Sequence, residues 1–145
     1  MTDAPVTPQL QLALDCADPH AQAKFWAAAL GYAVERDGDF VQKMIDEGFA
    51  TDADVTTVDG ELAWRDGAAM SDADGGRPRW YFQLVPESKA VKNRMHVDIQ
   101  VGPDRVGAEV DRLEALGATR LYDGRQGPHT WVTMADPEGN EFCVA

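Results

Sequence analysis

Two stretches decide how this chain folds: QLALDCADPHAQAKFWAAALG at residues 11–31 and HVDIQVGPDRVGAEVDRLEALG at residues 96–117. Each runs from a short alternating apolar segment, through a proline-containing break, into an amphipathic stretch that closes on Leu-Gly. Gln11 and His96 open the two copies 85 positions apart, and Gly31 and Gly117 close them 86 apart. A spacing held across the whole unit predicts one supersecondary module used twice. Two copies are too few for a solenoid, which needs about three or more repeats. In a chain this short they predict one site built between them.

In the first copy Leu10, Leu12, Leu14 and Cys16 share one face and Gln11, Ala13 and Asp15 the other, the period of a half-buried strand. Asp18-Pro19 offers an N-cap with proline at the first helical position. Phe25 with Ala29, and Trp26 with Leu30, are the i,i+4 pairs of an amphipathic helix that Gly31 ends. A second strand is predicted over 32–36, turning at Asp37-Gly38, and a short helix within 40–50. Residues 60–70 read as a strand or hairpin arm, 71–78 as a loop, 79–85 as the copy's closing strand and 86–93 as a link.

The second copy follows the same grammar. Met95, Val97, Ile99 and Val101 face one way and His96, Asp98 and Gln100 the other. Val106, Val110, Leu113 and Leu116 then recur at helical spacing up to Gly117. Strands are expected near 119–122, at 130–134 and at 141–144, with a Gly-rich turn at 124–128 and the turn Asp136-Pro137-Glu138-Gly139-Asn140 between them. Strand, helix, then three strands is the module, giving an α+β chain.

The chain has 145 residues, 44% of them hydrophobic, with four tryptophans, enough for one packed core. No apolar run approaches the roughly 18 residues that span a bilayer. The N-terminus is polar and acidic where a signal peptide would be basic and then apolar. Cys16 and Cys143 are isolated, with no disulfide framework, so a cytoplasmic location is expected. A net charge of −12 disfavours nucleic acid and anionic membranes as partners. Lys89, Lys92 and Arg94 read as a solvated linker, and Cys16, Trp26, Trp80 and Phe82 as core. His129, beside Gly127-Pro128, reads as exposed.

Chemistry is expected on the polar faces of strands whose other faces are core. Gln11 and His96 are matched openings, and a pseudo-twofold arrangement would bring them together. His96 is a candidate catalytic residue, as general base or metal ligand. By strand parity Tyr81, Trp131 and Thr133 line a cleft beside Ala13, Asp15, Asp98 and Gln100, an aromatic and polar mixture suited to a small molecule. HExxH, GxSxG, P-loop and GxGxxG strings are absent.

Residues 12–32 (LALDCADPHAQAKFWAAALGY), 80–99 (WYFQLVPESKAVKNRMHVDI) and 131–144 (WVTMADPEGNEFCV) resemble the vicinal oxygen chelate superfamily. That group holds glyoxalase I, bleomycin-resistance proteins and extradiol dioxygenases, and the likeness is to its bacterial glyoxalase-like domain branch. The resemblance implies one glyoxalase-like domain over 1–145, built of modules 9–86 and 94–145, whose curled mixed sheets surround a cleft. It implies metal ligands on the first and last strands of each module: Gln11 and His96 first, then Gln83 and Cys143. Cys143 stands where relatives usually carry Glu, and is a second candidate for catalysis.

Gln11, Gln83, His96 and Cys143 supply at most one anionic ligand, the Cys143 thiolate. Hard ions such as Mg²⁺ or Mn²⁺ would be held poorly, and Zn²⁺ only weakly. Glu141 shares the parity of Cys143 but lies about 6–7 Å further along the strand. A catalytic divalent metal is therefore not expected to be held tightly, and no other cofactor is legible. The ligand-binding cleft is expected to include Gln11, Gln83, Asp98, Trp131 and Glu141. The resemblance implies a small-molecule ligand, either turned over by a lyase or isomerase, or sequestered without catalysis as in the bleomycin-resistance relatives. Relatives often form a homodimer, although two modules in one chain already suffice for one cleft.

Overall fold

The structure, a computed structural model, describes Thr2 and residues 4–145. Its elements in chain order are β1 (Gln11–Cys16), α1 (Pro19–Leu30), β2 (Ala33–Val34), α2 (Gly38–Asp46), β3 (Val55–Val58), β4 (Glu61–Trp64), β5 (Gly67–Ser71), β6 (Arg79–Leu84), β7 (Asp98–Ile99), α3 (Val106–Leu116), β8 (Thr119–Gln126), β9 (His129–Ala135) and β10 (Glu141–Val144). Single 3₁₀ turns cover Asp52–Asp54 and Pro103–Arg105. The fold is mixed α+β, with two four-stranded mixed sheets ordered β1-β6-β5-β2 and β7-β10-β9-β8, and a separate β3–β4 hairpin. Neither sheet closes into a barrel. In each, the first strand lies parallel to the last, β1 on β6 and β7 on β10, and the other pairs are antiparallel.

Helix α1 begins where its cap demands. The Asp18 carboxylate accepts the Ala21 N–H at 3.0 Å, and Gly31 ends the helix in the left-handed region at φ +70°. Phe25 and Trp26 point away from solvent into one core that both sheets share. The Trp26 ring lies 5.3 Å from Trp80 of the first sheet and 5.1 Å from Phe142 of the second. Met70, Phe82, Leu113, Met134 and Val144 fill the space around them, each with no exposed surface. Burying each such side chain stabilises by roughly 1.5–3 kcal/mol.

The turn after β9 ties the two halves further. The buried Asp136 carboxylate accepts the Gln22 amide at 2.7 Å, the Trp26 indole N–H at 3.0 Å and the Asn140 amide at 2.8 Å. It also accepts the backbone N–H groups of Glu138 and Asn140. Glu138 accepts the Ala17 and Asp18 N–H groups at 2.7 and 2.9 Å, satisfying donors ahead of α1. Only the other amide atom of Gln22, its Oε1, stays buried without a partner among the described residues.

Several sequence expectations give way to packing. Leu10 and Met95 are 72% and 82% exposed, because each precedes the length of strand that the core covers. The expected strand at 95–101 shortens to Asp98–Ile99, flanked by backbone hydrogen bonds from the Cys143 N–H to the Val97 carbonyl and from the Val101 N–H to the Ala145 carbonyl. The strand at 32–36 shortens to Ala33–Val34, and Asp37-Gly38 opens α2 instead of a hairpin turn. Strand β8 runs on to Gln126, through the Gly124 expected in a turn. A Cβ at Gly124 would stand 2.1 Å from the Trp131 ring, so this glycine serves close packing between strands. Gly127, at φ +57°, takes the turn.

Candidate functional site

Strand pairing sets the site's face. Asp98 pairs with Cys143, Cys143 with Thr133, and Thr133 with Tyr122, so one row crosses β7, β10, β9 and β8. Residues two apart along these strands share that face, which brings in His96, Gln100, Trp131 and Glu141. The pocket on this face has a volume near 380 Å³ and is lined wholly from residues 92–145. Of the residues expected to line a cleft, His96, Asp98, Gln100, Trp131, Thr133, Glu141 and Cys143 meet here. Gln11 and Gln83 do not.

Gln11 instead accepts a hydrogen bond from Arg79 at 2.9 Å. Gln83 is exposed and pairs with Asp15 on one side and Gly67 on the other. The register also changes the match between the modules. With Gln11 set against His96, Ala13 corresponds to Asp98, and the partner of Ala13 is Tyr81. The first-module counterpart of Cys143 is therefore Tyr81, two residues before Gln83. The long loop of the first module hid this shift from sequence counting.

At the centre, one donor atom from each of His96, Asp98 and Cys143 lies within 4.8 Å of the others. His96 Nδ1 stands 3.5 Å from Asp98 Oδ1, with the two side chains 40% and 56% exposed. The Cys143 Sγ lies 3.6 Å from the Thr133 hydroxyl, either of which can donate. Glu141 is engaged elsewhere: it accepts the Asn93 backbone N–H and the Lys89 ammonium, both at 2.9 Å. The Asn93 N–H first, then Lys89, pulls its carboxyl down to about 2. It is thus part of a strap that holds the 89–93 linker at the pocket edge.

The donor set fits a divalent ion better than sequence counting suggests. Imidazole nitrogen, carboxylate oxygen and thiolate sulfur are a zinc-type set with two anionic ligands, where the sequence offered one. Donors around such an ion stand about 3.3–3.8 Å apart, so a contraction of about 1 Å by side-chain rotation closes the set. Asp98, expected from the sequence in the cleft but not among the metal positions, is the third donor of this group. Its signal was present: it lies two residues from His96, on the same strand face.

A larger cavity, near 620 Å³, covers the corresponding face of the first sheet, roofed by α2 and the β3–β4 hairpin. Its lining includes Tyr81, Arg79, Trp64 and Phe40. Strand parity in the sequence points to Tyr81, but nothing there signals the roof, which lies in the stretch of weakest resemblance.

A sequence description of the family "Glyoxalase-like domain" matches residues 11–145. Comparison with curated proteins finds no match. Among solved structures, the chain is similar to a glyoxalase/bleomycin resistance protein/dioxygenase family enzyme from Burkholderia phytofirmans PsJN. There the TM-score is 0.60 at 15% identity, covering 92% of this chain and 94% of that one. It is similar to the fosfomycin resistance protein FosX from Mesorhizobium loti, at TM-score 0.62, 8% identity and coverage of 97% and 91%. A possible glyoxalase from Bacillus cereus gives TM-score 0.57 at 17% identity, covering 96% and 98%. At these identities the likeness concerns the fold.

Proposed function

The chain belongs to the glyoxalase-like domain family, and on that premise we propose that it binds a small molecule in the pocket of its second sheet and acts on it as a lyase or isomerase. The observation that carries this reading is the convergence of His96, Asp98 and Cys143 beside the half-buried Trp131. The shared strand order of the two sheets supports reading the chain as one module used twice. Two unpaired cysteines support a reducing, cytoplasmic setting. Among the described residues no helix is long and apolar enough to cross a membrane.

Each side chain has a role set by its chemistry. Trp131 offers an apolar wall, and the Thr133 hydroxyl a polar contact that fixes orientation. His96 offers an imidazole nitrogen for acid–base work or for a metal, with the Asp98 carboxylate 3.5 Å from its Nδ1. A divalent ion held by His96, Asp98 and Cys143 would supply Lewis acidity toward an oxygen of the bound molecule.

Sequestration without catalysis is the second reading, and one observation favours it. The last strand carries Cys143 in place of a carboxylate, and its nearest carboxylate, Glu141, is committed to Lys89 and Asn93.

Cobalt titration of the metal-stripped protein discriminates between them. One equivalent of Co²⁺ with a sulfur-to-metal absorption band, lost in both His96→Ala and Cys143→Ser, is expected. Uptake unchanged in His96→Ala would overturn the metal assignment. Wild-type protein that takes no Co²⁺ or Zn²⁺ would leave sequestration as the reading.

A further inference from the structure

Residues 37–65 stand apart from the rest of the molecule. The core that the two sheets share includes no side chain of this stretch, whose own buried apolar residues are Val41, Ala50, Val55 and Ala63. The stretch is closed on itself. The Arg65 N–H donates to the Asp54 carbonyl, and the Arg65 guanidinium to the Ala53 and Val55 carbonyls at 3.1 and 2.6 Å. Phe40 of α2 meets Trp64 of β4 edge to face, with centroids 6.4 Å apart. Gly38 lets the start of α2 come close to β4, since a Cβ there would stand 3.2 Å from the Leu62 carbonyl oxygen.

Both ends of the stretch are fixed to the first sheet. The Glu35 N–H donates to the Ala69 carbonyl, and the Glu35 carboxylate accepts the Arg79 guanidinium and the Ser71 hydroxyl. At the far end the Leu84 N–H donates to the Asp66 carbonyl at 2.8 Å. Between these anchors, α2 and the β3–β4 hairpin cross the cavity and not a packed sheet face. What holds them down comes mainly from α1. Lys24 pairs with Asp59 at 2.7 Å, and His20 Nε2 lies 2.7 Å from the Trp64 carbonyl. His20 and Lys24 are one helical turn apart on the same face. Arg36, beside the first anchor, adds a two-pronged pair with Glu61. Among the described residues these are the only ion pairs and hydrogen bonds that tie 37–65 to its surroundings. Asp59 and Gly60, at φ +50° and +82°, form the two-residue turn of the hairpin, which sets the Asp59 carboxylate at its tip.

We propose that residues 37–65 are a lid that opens and closes over the first sheet as one body, hinged at Arg36-Asp37 and Arg65-Asp66 and latched at its tip by Lys24 and Asp59. An exposed ion pair is a weak, salt-screened tie that shifts an equilibrium only a few-fold, which suits a latch that must release. The Arg65 bonds and the Phe40–Trp64 contact lie wholly within the lid and survive its opening. The motion decides when Ala69 and Tyr81, on the floor beneath, meet solvent. It does not depend on whether the His96 pocket takes a metal.

Thiol labelling tests the proposal. Ala69 is 7% exposed beneath the lid, so a thiol placed there by Ala69→Cys reacts with iodoacetamide only when the lid opens. Labelling at position 69, mapped by mass spectrometry, is expected to quicken about threefold when Asp59→Asn is added, a change that keeps the hairpin turn and removes the charge. Lys24→Gln should quicken it equally, and the double variant no further. Sodium chloride at about 1 M should speed the Ala69→Cys protein more than the one that also carries Asp59→Asn. Hydrogen exchange of the α2, β3 and β4 amides should stay as slow as in the wild type, the mark of a body that moves without unfolding. Labelling that ignores both Asp59→Asn and salt overturns the proposal. So does faster labelling accompanied by lost amide protection in α2, which would make the opening a local melting. If Ala69→Cys disturbs the fold, nitration of Tyr81 by tetranitromethane in the otherwise unaltered chain reads the same motion, with the same outcomes for and against.

Discussion

The two cysteines of this chain show how much one side chain's surroundings decide. Both lie on strands and both are unpaired, but Cys16 is 2% exposed while Cys143 lines a pocket. Burial first, then the nearby carboxylates of Glu138 and Asp18, pushes the Cys16 thiol up to about 12. At pH 8 it is therefore protonated as well as inaccessible. Alkylation with iodoacetamide at that pH, mapped by mass spectrometry, is expected to modify Cys143 and leave Cys16 untouched; equal labelling of the two would contradict this placement. Pre-loading with Zn²⁺ should protect Cys143 if the thiolate is a ligand. Alternation with Leu12 and Leu14 already marked Cys16 as core in the sequence. The chemistry of Cys143 was less legible, because its partner Asp98 lies 45 residues earlier in the chain and meets it only through strand pairing.

At the scale of elements, the strap over 89–93 links a loop to the site it borders. Glu141 on β10 holds it through the Asn93 N–H and the Lys89 ammonium. Because the folded carboxyl is pulled from 4.5 down to about 2, its contribution is fully present above about pH 4.5 and is lost as pH falls toward 2. Urea titrations of wild type and Glu141→Gln between pH 2 and 6 should show a stability difference that is largest at the upper end and vanishes at the lower. A difference independent of pH would mean that the carboxylate charge plays no part. The strap was invisible in the sequence, where Lys89 reads as one cation in a polar linker. The glycines are a similar case: Gly124 looks like a turn residue until the Trp131 ring is found beside it.

For the molecule as a whole, the β9–β10 turn does more than reverse the chain. Asp136 reaches α1 and Glu138 the two residues just ahead of it, so the second module satisfies polar groups of the first. Together with the Trp26–Phe142 contact this makes one core out of two similar halves. Asp136→Ala leaves the Gln22 amide and the Trp26 indole buried without an acceptor and should cost about 3 kcal/mol in urea unfolding. The transition should remain single, since neither sheet keeps a complete core without the other. Separate transitions for the two halves would show that the turn is a local reversal only.

The sequence by itself determined the family, the order of most elements and the helix ends, because caps, glycine stops and period-two alternation act over a few residues. Strand parity, a local property, pointed to Asp98 and Trp131, the repeat to His96, and the family resemblance to Cys143. Only the tertiary structure decided which of these meet. Register between strands far apart in the chain matched Tyr81 with Cys143, left Gln11 beside Arg79 and brought Asp98 within reach of His96 and Cys143. It also folded a poorly patterned insertion over the first sheet, through ion pairs whose partners lie 25 to 35 residues apart. Pairing at such separations depends on how the whole core packs, and no local spacing in the sequence encodes it.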